Sequence, residues 1–176
     1  MPNLHRYVVG SDEDGRSAIL SSELTNVQQK EGYYWRSTLW ATTAFPPNNA
    51  TDEDISAEVV TREPAPHGLI FRALEIAPDD PDPQRHRQVL AELDSAVGQR
   101  VIPSEADSAR HPNMHRTGTL DFTTCVLGEI YLVTDVDEMR MTPGDTVIIR
   151  GTNHAWSNRS DKPCLLMVAM VDAQPK

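Results

Sequence analysis

The chain has 176 residues, enough for one domain with a real core and too few for two of ordinary size. Its 26 acidic residues outnumber 16 Lys and Arg; the net charge of −10 opposes nucleic acid and anionic membranes, and no local run of Lys or Arg reverses it. The opening MPNLHRYVVG lacks the basic start and apolar core of a secretory signal, and no stretch nears the roughly 20 apolar residues of a membrane span, so a soluble, cytoplasmic protein is expected.

In chain order, residues 1–76 hold short β-prone runs, HRYVV, SAIL, YYWRSTLWATT and LIFRALEI, joined by polar loops. AFPPNNATDEDISAE, rich in Pro, Asn and acids, reads as an exposed connection within one domain. Val89, Leu90, Leu93 and Val97 recur at helical spacing before Gly98, which predicts a helix over 83–97 lying across a sheet. His86, near its start, reads as a solvated residue, since no Cys, His or carboxylate recurs at metal-binding helical spacing. From 111 to 171 the chain is almost continuous strand and turn: TLDFTTCV, EIYLVTD, EMRM, DTVIIR, HAWSN and CLLMVAMV. That rhythm predicts a hairpin meander within an all-β sandwich, jelly roll or small barrel able to enclose a ligand. Cys125 and Cys164 sit among strand residues and read as core side chains.

The stretch HPNMHRTGTLDFTTCVLGE concentrates the chemistry. Along a straight strand, at roughly 3.3 Å per residue, His115 and Asp121 would stand about 20 Å apart. A reversal near Gly118 would let them meet, and a third partner from elsewhere in the chain could complete a site. Imidazole and carboxylate together suit Fe, Mn, Ni, Co or Zn and leave positions open for substrate or oxygen. His154, Trp156 and Asn158 alternate and so face one side of their strand, with the indole as a pocket wall.

HRTGTLDFTTCVLG and PGDTVIIRGTNHAWSN resemble the two motifs of the cupin superfamily, closest to its small single-domain members. In the first, His115 takes the place of the leading His, Thr117 that of the second His, Asp121 that of the Glu, and Gly128 the closing Gly. In the second, Gly151, His154 and Asn158 match throughout. The resemblance implies a double-stranded β-helix (jelly-roll) barrel across residues 1–176, with its motif core at 111–171 and one divalent metal held by His115, His154 and Asp121. Thr117 offers a neutral hydroxyl, a poor metal donor, so that shell has three members at most; Asp121, shorter than Glu, stands either on the metal or behind a His ring. His111 adds a nitrogen if HPNM curls inward and otherwise sits at the rim of a turn.

Arg72 and Arg150 are candidates to clamp a substrate carboxylate, because a guanidinium matches that group with two parallel bonds. Tyr34 and Trp40 should share one face of their strand, with Tyr33 and Trp35 on the other. No nucleophile elbow, phosphate-binding loop or dinucleotide fingerprint is present. CLLMVAMV, apolar on both faces, calls for a second layer or a second chain, and the resemblance adds a homodimer. The expected function is metal-dependent chemistry on a small organic molecule: lyase, decarboxylase, dehydratase or isomerase type with a redox-neutral metal, dioxygenase type with iron. The alternative is a metal-free barrel that only binds.

Overall fold

Alternation writes the strands. In TLDFTTCVL the residues at odd numbers from Thr119 to Cys125 are buried and those between are less so, as a half-buried strand requires. The computed structural model describes residues 2–50, 54–59, 61–97, 104–106 and 108–174. Its strands are β1 (Val8–Ser11), β2 (Ser17–Ser21), β3 (Val27–Lys30), β4 (Tyr34–Thr42), β5 (Leu69–Ile76), β6 (Thr119–Leu127), β7 (Ile130–Thr134), β8 (Glu138–Met141), β9 (Thr146–Arg150), β10 (His154–Ser157) and β11 (Cys164–Asp172). One helix, α1 (Pro83–Val97), stands between β5 and β6 as the spacing predicted. It starts cleanly: Asp82 Oδ1 accepts the Gln84 and Arg85 N–H groups at 2.9 and 3.3 Å, and Pro83 occupies the first helical position, where no N–H is needed. Gly98, read as its stop, lies outside the described residues.

The strands form a six-stranded sheet, β3-β4-β5-β11-β6-β9, a three-stranded sheet, β10-β7-β8, and the hairpin β1-β2. This is a double-stranded β-helix barrel, but its motif half is not the hairpin meander the rhythm suggested. From β6 onward only β7 and β8 pair as consecutive strands; β6 instead pairs β11 and β9, and β7 pairs β10. The physical reason is the core. Cys125, Ile149, Leu166, Val168 and Met170 from the large sheet pack with Ile130, Leu132, Met141 and Trp156 from the small one, so successive strands bury more by changing layer than by pairing in place. The β6–β7 reversal needs Gly128: its φ is +79°, and a Cβ there would stand 2.6 Å from Pro163 O. Both cysteines are buried free thiols.

On the outward face of β11, Leu165 is buried and Met167, Ala169 and Val171 are half-buried, and the chain supplies part of the layer over it. Leu165 packs with Trp35, Leu39 and Ala73, joined by Leu4 and Leu24 of the N-terminal segment. β3, with a single apolar residue in VQQK, carried no strand signal; it forms because its backbone pairs with β4 from Val27↔Ser37 to Lys30↔Tyr34.

Candidate functional site

The two motifs meet at their histidines. His115 N–H donates to His154 O at 2.8 Å and His154 N–H to His115 O at 3.0 Å, a lone antiparallel bridge outside the strand ladders. Residues directly opposite in such a pair project to the same side, so the main chain itself sets the rings beside each other, 4.4 Å between centroids and 50° between planes. Gly151, with φ +61°, lies where a Cβ would press within 3.2 Å of Thr117 O, so its lack of a side chain lets the second motif approach the first.

Each ring is then turned by its own backbone. His115 Nδ1 stands 2.8 Å from Asn113 O and His154 Nδ1 2.9 Å from Thr152 O. A carbonyl only accepts, so both Nδ1 atoms carry the proton and both Nε2 atoms keep a lone pair. Burial holds His115 well below the usual imidazole range, with His154 and Arg62 adding to the effect, and burial takes His154 down to about 4. Both are neutral at pH 7. The pair lines a cavity of about 170 Å³ within the barrel. Trp156 forms another part of its wall, edge-on to His154 at 6.0 Å.

Asp121 lines the same cavity from β6, where it pairs with Met170 and Ile149. Its Oδ2 accepts the Thr117 hydroxyl at 3.3 Å, and its Oδ1 is buried with no hydrogen-bond partner. Burial raises its pKa to about 6; Thr119, Thr117 and Arg72 oppose, while Glu63 pushes the same way as burial. Among the described residues no three His, Cys, Asp or Glu side chains gather as a metal cluster. Each imidazole keeps an Nε2 lone pair, with the opposite nitrogen fixed by a carbonyl, which is the donor type that late first-row divalent ions take.

Arg72 lines the cavity and is buried. Arg150 needs correcting: it pairs with Leu120 on β9 and is exposed, because inward positions on that strand fall at Ile149. Asn158, placed by the alternation on the face of His154 and Trp156, does not line the cavity. Its Nδ2 donates to Ile76 O and Lys162 O at 2.9 and 2.8 Å and its Oδ1 accepts from Ser160, which makes it a tie between loops. His111 stays at the rim: Nδ1 accepts the Asn113 N–H at 3.1 Å and Nε2 faces Asp79 Oδ2 at 3.5 Å. His86 is not solvated. It is buried against His111 and Tyr33, and its Nδ1 accepts the Asp80 N–H, because the first turn of α1 docks on the barrel.

Sequence reasoning passed over Arg36 and Arg62, which line the cavity, and Glu63, whose Oε2 accepts the Gly118 N–H at 3.2 Å and so secures the bend after the first motif. The alternation of Arg36 with Trp35 on β4 was the available signal for the first; Arg62 and Glu63 belong to a connection whose path no local pattern records.

Residues 99–170 match the Cupin_2 family model, described as "Cupin domain". A 48-residue segment is 50% identical to phomopsin biosynthesis cluster protein C' of Diaporthe leptostromiformis, covering 27% of this chain and 25% of that protein. A 50-residue segment is 46% identical to oryzines biosynthesis cluster protein J of Aspergillus oryzae, covering 28% of each. The matches thus span about a quarter of the curated relatives. Among solved structures, the polyketide cyclase RemF from Streptomyces resistomycificus aligns with a TM-score of 0.45 at 12% identity, over 100% of this chain and 82% of that one.

Proposed function

The chain belongs to the cupin superfamily, and from that premise we propose that it is an enzyme acting on a small organic molecule inside the barrel, with a divalent metal held by His115 and His154. The observation that carries the reading is the doubly bonded bridge between these residues, with both Nδ1 atoms bound to carbonyls and both Nε2 atoms left as donors. The similarity to two fungal biosynthesis-cluster proteins supports a small-molecule substrate.

A bound ion of this kind supplies Lewis-acid activation of a carbonyl or hydroxyl, as lyase, decarboxylase or dehydratase chemistry requires, or, as Fe(II), a place for oxygen in dioxygenase chemistry. The remaining work falls to the chain's own groups. Asp121, which lines the cavity and has a pKa near 6, can take or give a proton on a bound molecule near neutral pH. Trp156 presents an apolar wall that orients a flat ligand beside His154.

Elemental analysis of protein purified without chelator, then reconstituted with Fe, Mn, Ni, Co or Zn, tests the proposal. About one ion per chain, lost in His154→Ala, is expected; a content far below that, unchanged by any added metal, defeats it. The second reading, a metal-free barrel that only binds, is favoured by Thr117 in a ligand place and by Asp121 joining no three-residue cluster among the described residues; it takes over if the metal fails. Oxygen uptake by the loaded protein with candidate phenols and keto acids then separates oxygenase from lyase.

A further inference from the structure

A second pair of histidines stands where α1 meets the cavity, apart from His115 and His154. His86, from the first turn of α1, lines the cavity together with Asp79 and Tyr33, and His111 meets it edge-on with ring centroids 5.7 Å apart. Around His86 the helix positions Gln84, Arg85, Arg87 and Gln88 are exposed, while His86 itself is 8% exposed and Val89, three residues on, follows it inward. The imidazole is therefore the part of that first turn pressed into the barrel.

Both rings of this outer pair are held in the opposite sense to the inner pair. His86 Nδ1 accepts the Asp80 N–H at 3.2 Å, and His111 Nδ1 accepts the Asn113 N–H at 3.1 Å. A nitrogen that accepts carries no proton, so each ring has its proton on Nε2 alone. A second proton would set N–H against N–H at both places and bring two like charges into ring contact. The charged groups facing the pair do little to compensate. Asp80 is already taken, since Arg85 Nε and the Tyr33 hydroxyl both donate to its Oδ2 at 2.6 Å. Asp79 faces His111 Nε2 at 3.5 Å, but it also accepts the Ser157 hydroxyl and the Asn158 N–H at 2.6 and 3.0 Å, with Arg159 reaching the same Ser157 Oγ at 3.2 Å. Burial, with His111 adding to it, outweighs Asp79 and Asp80 and lowers the pKa of His86. Undocked and in water, His86 would return to the ordinary imidazole range, so acid favours the undocked turn.

We infer that the first turn of α1 is an acid-released door on the cavity: it stays docked while His86 and His111 accept their backbone N–H groups, and it swings clear, taking His86 off the cavity wall, once those nitrogens are protonated. Access to the barrel interior then depends on pH at a place separate from the inner histidines, and the device works whether or not they hold a metal.

Hydrogen–deuterium exchange read by mass spectrometry, corrected for the intrinsic pH dependence of exchange, tests it at about pH 7.5 and about pH 5.5, on either side of the ordinary imidazole pKa. Peptides covering residues 80–89 should lose protection by about ten-fold or more on acidification, the effect of one unit of pKa difference, while peptides of β11 keep theirs. Asn is the discriminating replacement, because its side-chain oxygen can accept in the place of Nδ1 and does not titrate. The double variant His86→Asn, His111→Asn should hold its protection at both pH values. Acrylamide quenching reads the same event from inside: the fluorescence of Trp156, on the cavity wall, should become easier to quench on acidification in the native protein and not in the variant. Asp121, whose pKa near 6 falls in the same window, is common to both proteins and drops out of the comparison. Protection at 80–89 that changes no more than that of β11 in the native protein overturns the inference whether or not the variant folds. A native loss that persists in the folded variant overturns it too, by assigning the response to other groups.

Discussion

The two histidines and Asp121 line one cavity, but they are held in different ways. His115 and His154 are fixed twice over, main chain to main chain by paired bonds and ring to backbone at Nδ1. Asp121 has one side-chain bond of 3.3 Å and an oxygen with nothing to accept from. The first arrangement fixes position and tautomer and leaves a lone pair to spend on a ligand; the second leaves a group whose charge state answers to whatever binds or to pH. A barrel can thus carry a rigid donor pair and a responsive carboxyl a few residues apart.

The largest effect expected from breaking this contrast is at the rings. His154→Ala or His115→Ala should reduce bound metal from about one per chain to near none, read by elemental analysis, while the bridge between their backbones survives because it uses no side-chain atom. Asn158→Ala shows what a fully bonded side chain contributes: it strips partners from Ile76 O, Lys162 O and Ser160, and should cost about 2–4 kcal/mol in urea unfolding.

Asp121→Asn probes the opposite case. The raised pKa of Asp121 means that its contribution to stability is fully present below the ordinary 3.8 and is lost as pH rises through about 6. Metal-free Asp121→Asn should therefore be more stable than the native protein at pH 8, by about 2 kcal/mol, and should lose that advantage below pH 4. The lowered pKa of His154 has the opposite sign: its contribution is present above the ordinary 6.5 and is lost as pH falls through about 4. Between those limits the two slopes oppose in the native protein, so the variant should show the steeper loss on acidification; parallel curves for the two proteins would break the contrast. Arg150→Ala gives the baseline, an exposed outward residue whose loss should move stability by less than about 0.5 kcal/mol.

The sequence made most strands visible because half-burial leaves a period of two, and α1 visible because its start is written in Asp82 and Pro83. Pairing was less legible. Nothing local says that β6 lies between β11 and β9, since that follows from two inner faces finding each other. The site divides along the same line. His115 and His154 stood out by residue type and spacing, whereas Arg36 and Arg72 become neighbours only through the β4–β5 register, and Asn158 and Arg150 needed their partners seen before their roles could be read. His86 was misread because an amphipathic helix shows which face is apolar but not that a histidine in its first turn will be pressed against His111.

The bridge between His115 and His154 also bears on how such a barrel can change over generations. Because peptide groups rather than side chains set the spacing, either imidazole can be exchanged for another residue without displacing its neighbour, as a socket keeps its shape when one pin is replaced. New reactivity can therefore be sampled one side chain at a time on a frame that point substitutions scarcely disturb.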